Sequence, residues 1–262
     1  MRLDACLAKS GKARSRTHAQ ELIESGFVTV AGKTVTKVSF AVDECNLPEI
    51  CITGEPYPFV GRGGVKLEGA LSNFCIDVTG MTAVDVGAST GGFTDCLLRR
   101  GAKKVFAVDS GTGQLAESLR FDSRVTNIER FNARALCPAD LGSLCDIAVA
   151  DLSFISQTYV LPNIASVLLP DGIYVGLIKP QFECGPASVD HRGIVRDPQY
   201  HKEAVRRVVQ AAAESGLRLV RLMPSPILGG DGNREFLLYC QRDDDATVPE
   251  GFENTLCELV KN

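Results

Sequence analysis

Four charged side chains stand next to apolar runs, where a charge is costly unless it has a partner or a task. Asp151 and Lys179 each close an apolar run long enough to be a buried strand. Glu235 opens another such run, and Lys66 stands near the head of a stretch with helical spacing. Any one of these could be a solvated surface charge. Together at one edge of a core, two lysines and two acids would neutralise each other and let a lysine amine act as a general base.

A glycine-rich turn follows the first apolar run of the same region. Thr82–Val86 leads directly into Gly87, and Gly91 and Gly92 come just before a predicted helix. Glycines at such a turn let the backbone approach a ligand, and the helix start offers unpaired N–H groups. Asp109 closes the next predicted strand, where an acid can hold the two hydroxyls of a ribose. The pattern predicts a cofactor site, although the same glycines could serve only a tight turn.

Two cofactors compete for this turn. A dinucleotide enzyme would carry the spacing Gly-x-Gly-x-x-Gly, in which the second glycine makes room for a pyrophosphate. The spacing here, Gly87-Ala-Ser-Thr-Gly91-Gly92, departs from it, and Asp85 lies two residues before the first glycine. A carboxylate at that place favours a ligand with positive charge and an ammonium group over one with phosphates. S-adenosylmethionine has both positive groups and no phosphate, so it is the predicted cofactor.

Strands and helices alternate in the larger part of the chain, which predicts an α/β fold with a mostly parallel sheet and helices on both faces. The predicted strands are 82–87, 103–109, 124–128, 145–151, 172–178, 217–223 and 234–241, and the predicted helices are 64–75, 91–100, 154–169 and 198–215. Ligands of open sheets bind at the carboxyl ends of the strands. If the last strand runs antiparallel, its start lies at that edge, and Glu235 would meet Asp151 and Lys179.

A smaller α+β domain is predicted before this sheet. Residues 3–9 and 15–25 have helical spacing, and the pattern over 28–38 predicts a hairpin. A proline-stiffened linker follows over 54–59. We therefore expect a small domain over 1–58, the α/β domain over 59–245 and a C-terminal tail over 246–262.

The charge is unevenly distributed along the 262 residues. The net charge of −4 argues against a nucleic-acid partner, but residues 1–40 contain seven basic and three acidic side chains, and the rest of the chain carries −8. A basic arm on an acidic body is typical of proteins that bind a polyanion through one domain, although a solvated helix face would look the same. The candidate phosphate-binding cations are Arg2, Lys12, Arg14, Arg16, Lys33, Lys37 and, beyond the linker, Arg62.

Ten cysteines and three histidines are scattered, without a Cys-x-x-Cys pair, so we expect reduced thiols and no metal site. No apolar run is long enough to span a membrane, and the first six residues lack the apolar segment of a signal peptide. These features predict a cytoplasmic protein without a membrane partner.

The motifs resemble a known family over nearly the whole chain. Ser15-Arg16 and the segment 19–35 look like the S4-type RNA-binding domain, and the rest looks like the FtsJ-type ribose 2'-O-methyltransferases. In order, the chain carries the blocks Gly61-Arg-Gly-Gly-Val-Lys-Leu-Glu, Asp151-Leu-Ser-Phe-Ile-Ser, Lys179-Pro-Gln-Phe-Glu and Gly229-Gly-Asp-Gly-Asn-Arg-Glu-Phe. Together they are similar to the hemolysin A family of ribosomal RNA cytidine 2'-O-methyltransferases.

This resemblance implies a class I, Rossmann-like methyltransferase sheet of seven strands and a Lys-Asp-Lys-Glu tetrad. Matched by motif, the tetrad falls on Lys66, Asp151, Lys179 and Glu235. The implied contacts of S-adenosylmethionine are Asp85, Gly87, Ala88, Ser89, Gly91, Gly92, Phe93, Asp109, Asn132 and Asp151.

The implied activity is S-adenosylmethionine-dependent 2'-O-methylation of ribosomal RNA, at cytidine. Lys179 is the expected base, or else the group that stabilises the developing alkoxide, and it is assisted by Asp151, Lys66 and Glu235. Ribosomal RNA or a ribosomal subunit would be the partner, and no metal is expected, because the sulfonium leaves as a neutral thioether. Two alternatives stay open: a methyltransferase that acts on a protein or small molecule, and a membrane-lytic protein. The modified nucleotide and the oligomeric state are open as well.

Overall fold

The computed structural model describes residues 1–44, 46–230 and 232–261; Cys45, Asp231 and Asn262 lie outside the described residues. The chain divides into two compact units, Met1–Pro58 and Phe59–Asn262. The first unit contains helices α1 (Leu3–Lys9) and α2 (Arg16–Glu24) and strands β1 (Val28–Val30), β2 (Lys33–Thr34) and β3 (Ile50–Ile52).

The strands of the first unit form an antiparallel sheet in the order β2-β1-β3. Ser15 begins α2, because its Oγ accepts a hydrogen bond from the His18 amide at 3.1 Å and so satisfies an N–H of the first turn. Leu3 and Leu22 are fully buried in one core with Val28. The predicted helices and hairpin are observed, whereas β3 is absent from the prediction.

The second unit contains the larger sheet. Its strands are β4 (Thr82–Val86), β5 (Lys104–Val108), β6 (Val125–Ile128), β7 (Cys145–Ala150), β8 (Leu168–Ile178), β9 (Leu217–Pro224) and β10 (Phe236–Arg242). Its helices are α3 (Gly63–Phe74), α4 (Gly92–Arg99), α5 (Glu117–Arg120), α6 (Pro138–Leu141), α7 (Leu161–Ser166), α8 (Pro180–Glu183), α9 (Pro198–Glu214) and α10 (Phe252–Lys261). No helix among the described residues is long and apolar enough to cross a bilayer.

Among the described residues, seven strands form this sheet in the order β6-β5-β4-β7-β8-β10-β9. The neighbours from β6 to β8 are parallel, and β10 is antiparallel to both β8 and β9. Alternate strand residues face opposite sides: Val84 and Ala148 pack with α7, α9 and α10, whereas Ala83 and Ile147 pack with α3, α4 and α5. The predicted mostly parallel seven-stranded sheet with helices on both faces is confirmed.

One predicted helix, 154–169, is wrong over most of its length. Helix α7 covers only Leu161–Ser166, a short 3₁₀ turn covers Gln157–Tyr159, and β8 already begins at Leu168. Pro162 explains the late start, because a residue without an N–H fits only the first turn of a helix. The residues between β7 and the 3₁₀ turn therefore form a loop at the carboxyl edge of the sheet.

Asp4, in the first turn of α1, is a fully buried carboxylate surrounded by donors. Arg2 Nε lies 3.0 Å from Oδ1, and Arg16 Nε and Gln20 Nε2 each lie 2.9 Å from Oδ2. Burial alone would raise the pKa of Asp4, but the hydrogen bonds from Gln20, Arg16 and Arg2 outweigh it and hold that pKa well below its usual range. The carboxylate therefore ties the start of α1 to α2.

We expect Asp4→Asn to destabilise the first unit by about 1–3 kcal/mol at neutral pH, because a neutral amide cannot accept from all of these donors. The folded pKa of Asp4 lies below the unfolded value of about 3.9. The carboxylate's contribution is therefore complete above about pH 5 and is lost as the pH falls toward the folded pKa. The stability difference between wild type and variant should be larger at pH 7 than at pH 3.

Hydrogen exchange of the α1 and α2 peptides in the full-length proteins, corrected for intrinsic rates, measures this difference. Glu24→Gln is the matched control, since Glu24 is an exposed acid at the end of α2. Wild-type protection of Asp4→Asn at both pH values would contradict the stabilising role of Asp4.

Candidate active site

Four charged side chains form two ion pairs at one edge of the larger sheet. Lys66 Nζ lies 2.6 Å from Glu235 Oε2, and both side chains are buried, with exposed fractions of 7% and 3%. Lys179 Nζ lies 2.7 Å from Asp151 Oδ1, and these side chains are more accessible, at 11% and 22%. The four residues that the sequence singled out thus form two ion pairs. The Lys66–Glu235 pair is buried, and the Lys179–Asp151 pair is partly accessible to solvent.

The sheet positions three of the four residues. Asp151 directly follows β7 and Lys179 directly follows β8, so both stand at the carboxyl ends of parallel strands. Strand β10 runs antiparallel and pairs Phe236 with Ile178. Glu235, one residue before Phe236, therefore lies beside Lys179 at the same edge.

Helix α3 supplies the fourth residue. Lys66 lies one turn after Gly63, on the same side of the helix. A Cβ at Gly63 would lie 3.5 Å from Asp151 Oδ2 and 3.3 Å from the Phe93 ring. The start of α3 thus packs against Asp151, and the two ion pairs belong to one site.

Ser153 is a contact that the sequence reasoning missed. Lys179 Nζ donates a hydrogen bond to Ser153 Oγ at 2.9 Å, so both polar partners of this amine come from the loop after β7. An ammonium group has three N–H donors, which leaves one direction for a further acceptor. The available signal was a serine two residues after a strand-ending acid.

The turn after β4 needs glycine for two different reasons. The backbone has positive φ at Gly87 (86°), Ser89 (48°) and Gly91 (94°). A Cβ at Gly87 would lie 2.8 Å from the Asp151 carbonyl oxygen, whereas a Cβ at Gly91 would overlap the Leu119 side chain. The missing side chain of Gly87 therefore leaves room for the end of β7, and that of Gly91 leaves room for the Leu119 side chain.

Three further residues of the predicted cofactor set make contacts within the protein. Gly92 begins α4, and a Cβ there would lie 2.9 Å from the Gly64 amide nitrogen of α3. Phe93 is 3% exposed and belongs to the core between α3, α4 and the sheet. Ala88 is buried, and its amide donates to the Val108 carbonyl at 3.1 Å.

Asp85, in β4, is fully buried beneath the turn. Its Oδ2 accepts a hydrogen bond from Thr94 Oγ1 at 2.7 Å, and its Oδ1 has no hydrogen-bond partner among the described residues. Burial raises the pKa of Asp85 to about 7, against the hydrogen bond from Thr94, and the negative charges of Asp151 and Asp109 add to the rise. A cationic ligand above the turn would compensate this carboxylate.

Asp109, directly after β5, is held in a defined orientation. Its Oδ1 accepts from the Gly111 amide at 2.7 Å, and its Oδ2 accepts from the Ser89 amide at 2.8 Å. Each carboxylate oxygen can accept more than one hydrogen bond, so Asp109 can still receive a pair of ligand hydroxyls.

A cavity of about 710 Å³ opens at this edge of the sheet, a size ordinary for a small-molecule site. Five residues of the predicted cofactor set line it: Gly87, Ser89, Asp109, Asn132 and Asp151. The loops after β5, β6 and β7 add residues that the sequence reasoning missed, among them Gln114, Arg130, Phe131, Arg134 and Phe154. Their one sequence signal was their position after predicted strands. In the described part of the chain, no group of three or more His, Cys, Asp or Glu side chains could hold a metal.

Three of the seven predicted RNA-binding cations are already paired with acids. Arg2 and Arg16 are bound to Asp4. Arg14 lies 3.3 Å from Glu55 and, like the other two, stays within the first unit. Acids of the first unit therefore partly neutralise the charges of these three arginines.

The other four differ among themselves. Lys12, Lys33 and Lys37 are exposed and have no ion-pair partner among the described residues of the first unit. Arg62, at the start of α3, donates to the Leu228 carbonyl at 2.6 Å and so ties α3 to the segment before β10.

Comparison with known proteins identifies the two units. Residues 59–242 match the FtsJ-like methyltransferase family, and residues 1–47 match the S4 domain. The chain is 44% identical over 260 residues to the 16S/23S rRNA (cytidine-2'-O)-methyltransferase TlyA of Mycobacterium tuberculosis, covering 99% of this chain and 97% of the relative. It is 39% identical over 240 residues to Hemolysin A of Brachyspira hyodysenteriae, covering 91% of this chain and 99% of the relative.

A solved structure from Streptococcus thermophilus, described as a hemolysin, has a TM-score of 0.79 and 38% identity, covering 100% of this chain and 96% of that chain. These alignments therefore extend over both units of this chain. This chain belongs to the FtsJ-like methyltransferase family, within the S4-containing group of TlyA and Hemolysin A.

Proposed function

We propose that this protein transfers the methyl group of S-adenosylmethionine to the ribose 2'-hydroxyl of a cytidine in ribosomal RNA. The observation that carries this is the joint presence of the Lys179–Asp151 and Lys66–Glu235 pairs beside the cavity at the carboxyl edge of the sheet. The TlyA relative, aligned over nearly its full length, is named for that reaction. An rRNA substrate implies action in the cytoplasm.

The residues around the turn fit S-adenosylmethionine. Asp85 offers an unpartnered buried carboxylate oxygen below the turn, which suits a cationic ligand. Asp109, oriented by two backbone amides, suits the ribose hydroxyls, and Asn132 would contact the adenine end. A phosphate-bearing cofactor would meet two carboxylates here, so the acids favour S-adenosylmethionine over a dinucleotide.

The partly accessible Lys179–Asp151 pair accounts for activation of the substrate hydroxyl. Bound S-adenosylmethionine supplies a methyl group on a sulfonium, which leaves as a neutral thioether. Asp151 and Ser153 orient the Lys179 amine, whose remaining direction is available to the 2'-hydroxyl. Lys179 would accept the hydroxyl proton as the 2'-oxygen takes up the methyl group, and Asp151 would then hold the resulting ammonium.

The buried Lys66–Glu235 pair stabilises the structure around the site. Removing one partner of a buried pair leaves a buried charge without compensation and costs about 3–5 kcal/mol. Substitutions of Lys66 or Glu235 would therefore destabilise the second unit as well as inactivate it. Lys179 is more accessible, so its substitution separates chemistry from folding.

The first unit would supply affinity for RNA. It matches the S4 domain, and it carries the exposed lysines Lys12, Lys33 and Lys37. Lysine contacts with phosphates add a salt-dependent term to binding and little sequence preference. Recognition of the particular nucleotide then belongs to the second unit.

Lys179→Ala should lower methyl transfer to ribosomal subunits by roughly 10²–10⁴-fold, the range for a lost acid–base group, with S-adenosylmethionine affinity within about twofold of wild type. Incorporation of labelled methyl measures the rate, and calorimetry measures the affinity. Lys103→Ala is the matched control, because Lys103 is exposed at the amino end of β5.

Wild-type turnover by Lys179→Ala would remove Lys179 from the mechanism. Transfer by the wild-type protein to free metabolites or proteins, with none to ribosomal RNA, would contradict the proposed substrate.

Replacing Lys12, Lys33 and Lys37 by Gln should weaken RNA binding and make the slope of log K against log salt shallower by about 2–3, because three phosphate contacts are lost. Filter binding over a range of salt concentrations measures the slope. The control replaces three exposed lysines of the second unit, Lys103, Lys104 and Lys261, and has the same net charge. If both triple variants change the slope equally, the S4-like unit is not the RNA-binding part.

A further inference from the structure

Helix α8, which begins directly after Lys179, ends in a buried carboxylate. Glu183 is 2% exposed, and in the described part of the chain no cation forms an ion pair with it. The nearby Arg207 guanidinium donates instead to the Glu183 backbone oxygen, at 2.9 Å. A carboxylate is costly to bury without a cation, so this side chain needs other donors.

Both oxygens of the Glu183 carboxylate are bound to the loop after β7. Oε2 accepts from the Ser156 hydroxyl, and Oε1 accepts from the Gln157 amide at 2.9 Å. Ser156 and Gln157 are themselves buried, so water does not compete for these hydrogen bonds. Burial raises the pKa of Glu183, and the two hydrogen bonds and the charge of Arg207 oppose the rise. Glu183 thus connects the helix that follows Lys179 to the loop after β7.

This loop carries both polar partners of the Lys179 amine. Asp151 lies 2.7 Å and Ser153 lies 2.9 Å from Lys179 Nζ. In the described structure, no amide of residues 152–156 donates to a backbone carbonyl. Phe154 has a φ of 63°, which a residue with a side chain adopts only where its surroundings enforce it. The conformation of the loop therefore depends on side-chain contacts, among them those of the buried carboxylate.

Resting on the proposed function, we propose that Glu183 is a positioning residue for methyl transfer. Its carboxylate fixes the loop after β7 relative to α8 and so sets where Asp151 and Ser153 stand beside the Lys179 amine. Because Lys179 and Glu183 belong to one continuous segment, the loop is bound to that segment at both ends. Reaction rates are sensitive to such placement, and an error of about 1 Å can cost about 100-fold.

Two substitutions separate hydrogen bonding from charge. In Glu183→Gln, the amide oxygen can accept from the Gln157 amide, and the NH₂ group can donate to the Ser156 hydroxyl oxygen. Glu183→Met keeps the length of the side chain and removes both contacts. The Gln157 side chain also donates to the Leu177 carbonyl at 2.5 Å and accepts from the Tyr174 hydroxyl, so the turn stays attached to β8 in either variant.

The test measures kcat and KM for methyl transfer to ribosomal subunits, with kcat expressed per S-adenosylmethionine site counted by calorimetry. Glu183→Met should lower kcat about 10- to 100-fold, with cofactor affinity and the KM for the subunit within about twofold of wild type. Glu183→Gln should keep kcat within about threefold of wild type, because it can form both hydrogen bonds. A residue that only stabilised the fold would reduce the number of binding sites and leave kcat per site unchanged.

Glu214→Met is the matched control, because Glu214 is an exposed acid at the end of α9, and it should have the wild-type kcat. A wild-type kcat per site in Glu183→Met would overturn the positioning role. Equal losses in Glu183→Met and Glu183→Gln would overturn it as well, since the charge and not the hydrogen bonds would then matter. If the wild-type protein transfers no methyl group to the subunits, the proposed function itself fails, which is a different result.

Discussion

The buried ion pair between Lys66 and Glu235 is the contact on which the arrangement of the site depends. It joins residues 169 positions apart in the sequence, one on α3 and one at the start of β10. An unpaired buried charge costs several kcal/mol, so the pair holds α3 against the edge of the sheet. A Cβ at Gly229 would lie 2.5 Å from Glu235 Oε1, which explains a glycine there. With α3 in this place, Gly63 packs against Asp151 and closes the site from one side.

The turn after β4 divides its residues between packing and binding. Gly87 and Ser89 line the larger cavity, whereas Gly91 and Gly92 are required because Leu119 and the backbone of α3 come too close for a side chain. In the sequence all of these residues look like parts of one cofactor motif. Only the contacts in the structure show that this one turn supports both the helix packing and the proposed cofactor site. Substitutions within the turn would therefore weaken cofactor binding and lower stability together.

Much of the fold could be predicted because most strands and long helices carry their own pattern of apolar residues. Where an element depends on partners, prediction failed. Strand β3, Ile50–Ile52, exists through its pairing with β1 and has no alternation to mark it. The loop after β7 was read as helix because its composition fits one, although Pro162 delays the helix and Leu168 pairs with β7 instead. Short segments have little intrinsic stability, so tertiary pairing decides their structure.

By itself, the sequence determined the succession of the seven strands of the larger sheet, the charged residues at the strand ends and the positive character expected of the cofactor. These features depend on local spacing and residue type. Only the tertiary structure decided which charges pair: Lys179 with Asp151, and Arg16 with the buried Asp4 rather than standing free. It also decided that the buried Glu183 binds the loop after β7. The physical reason is that hydrogen bonds and ion pairs depend on separations of a few ångströms in space, which sequence distance does not set.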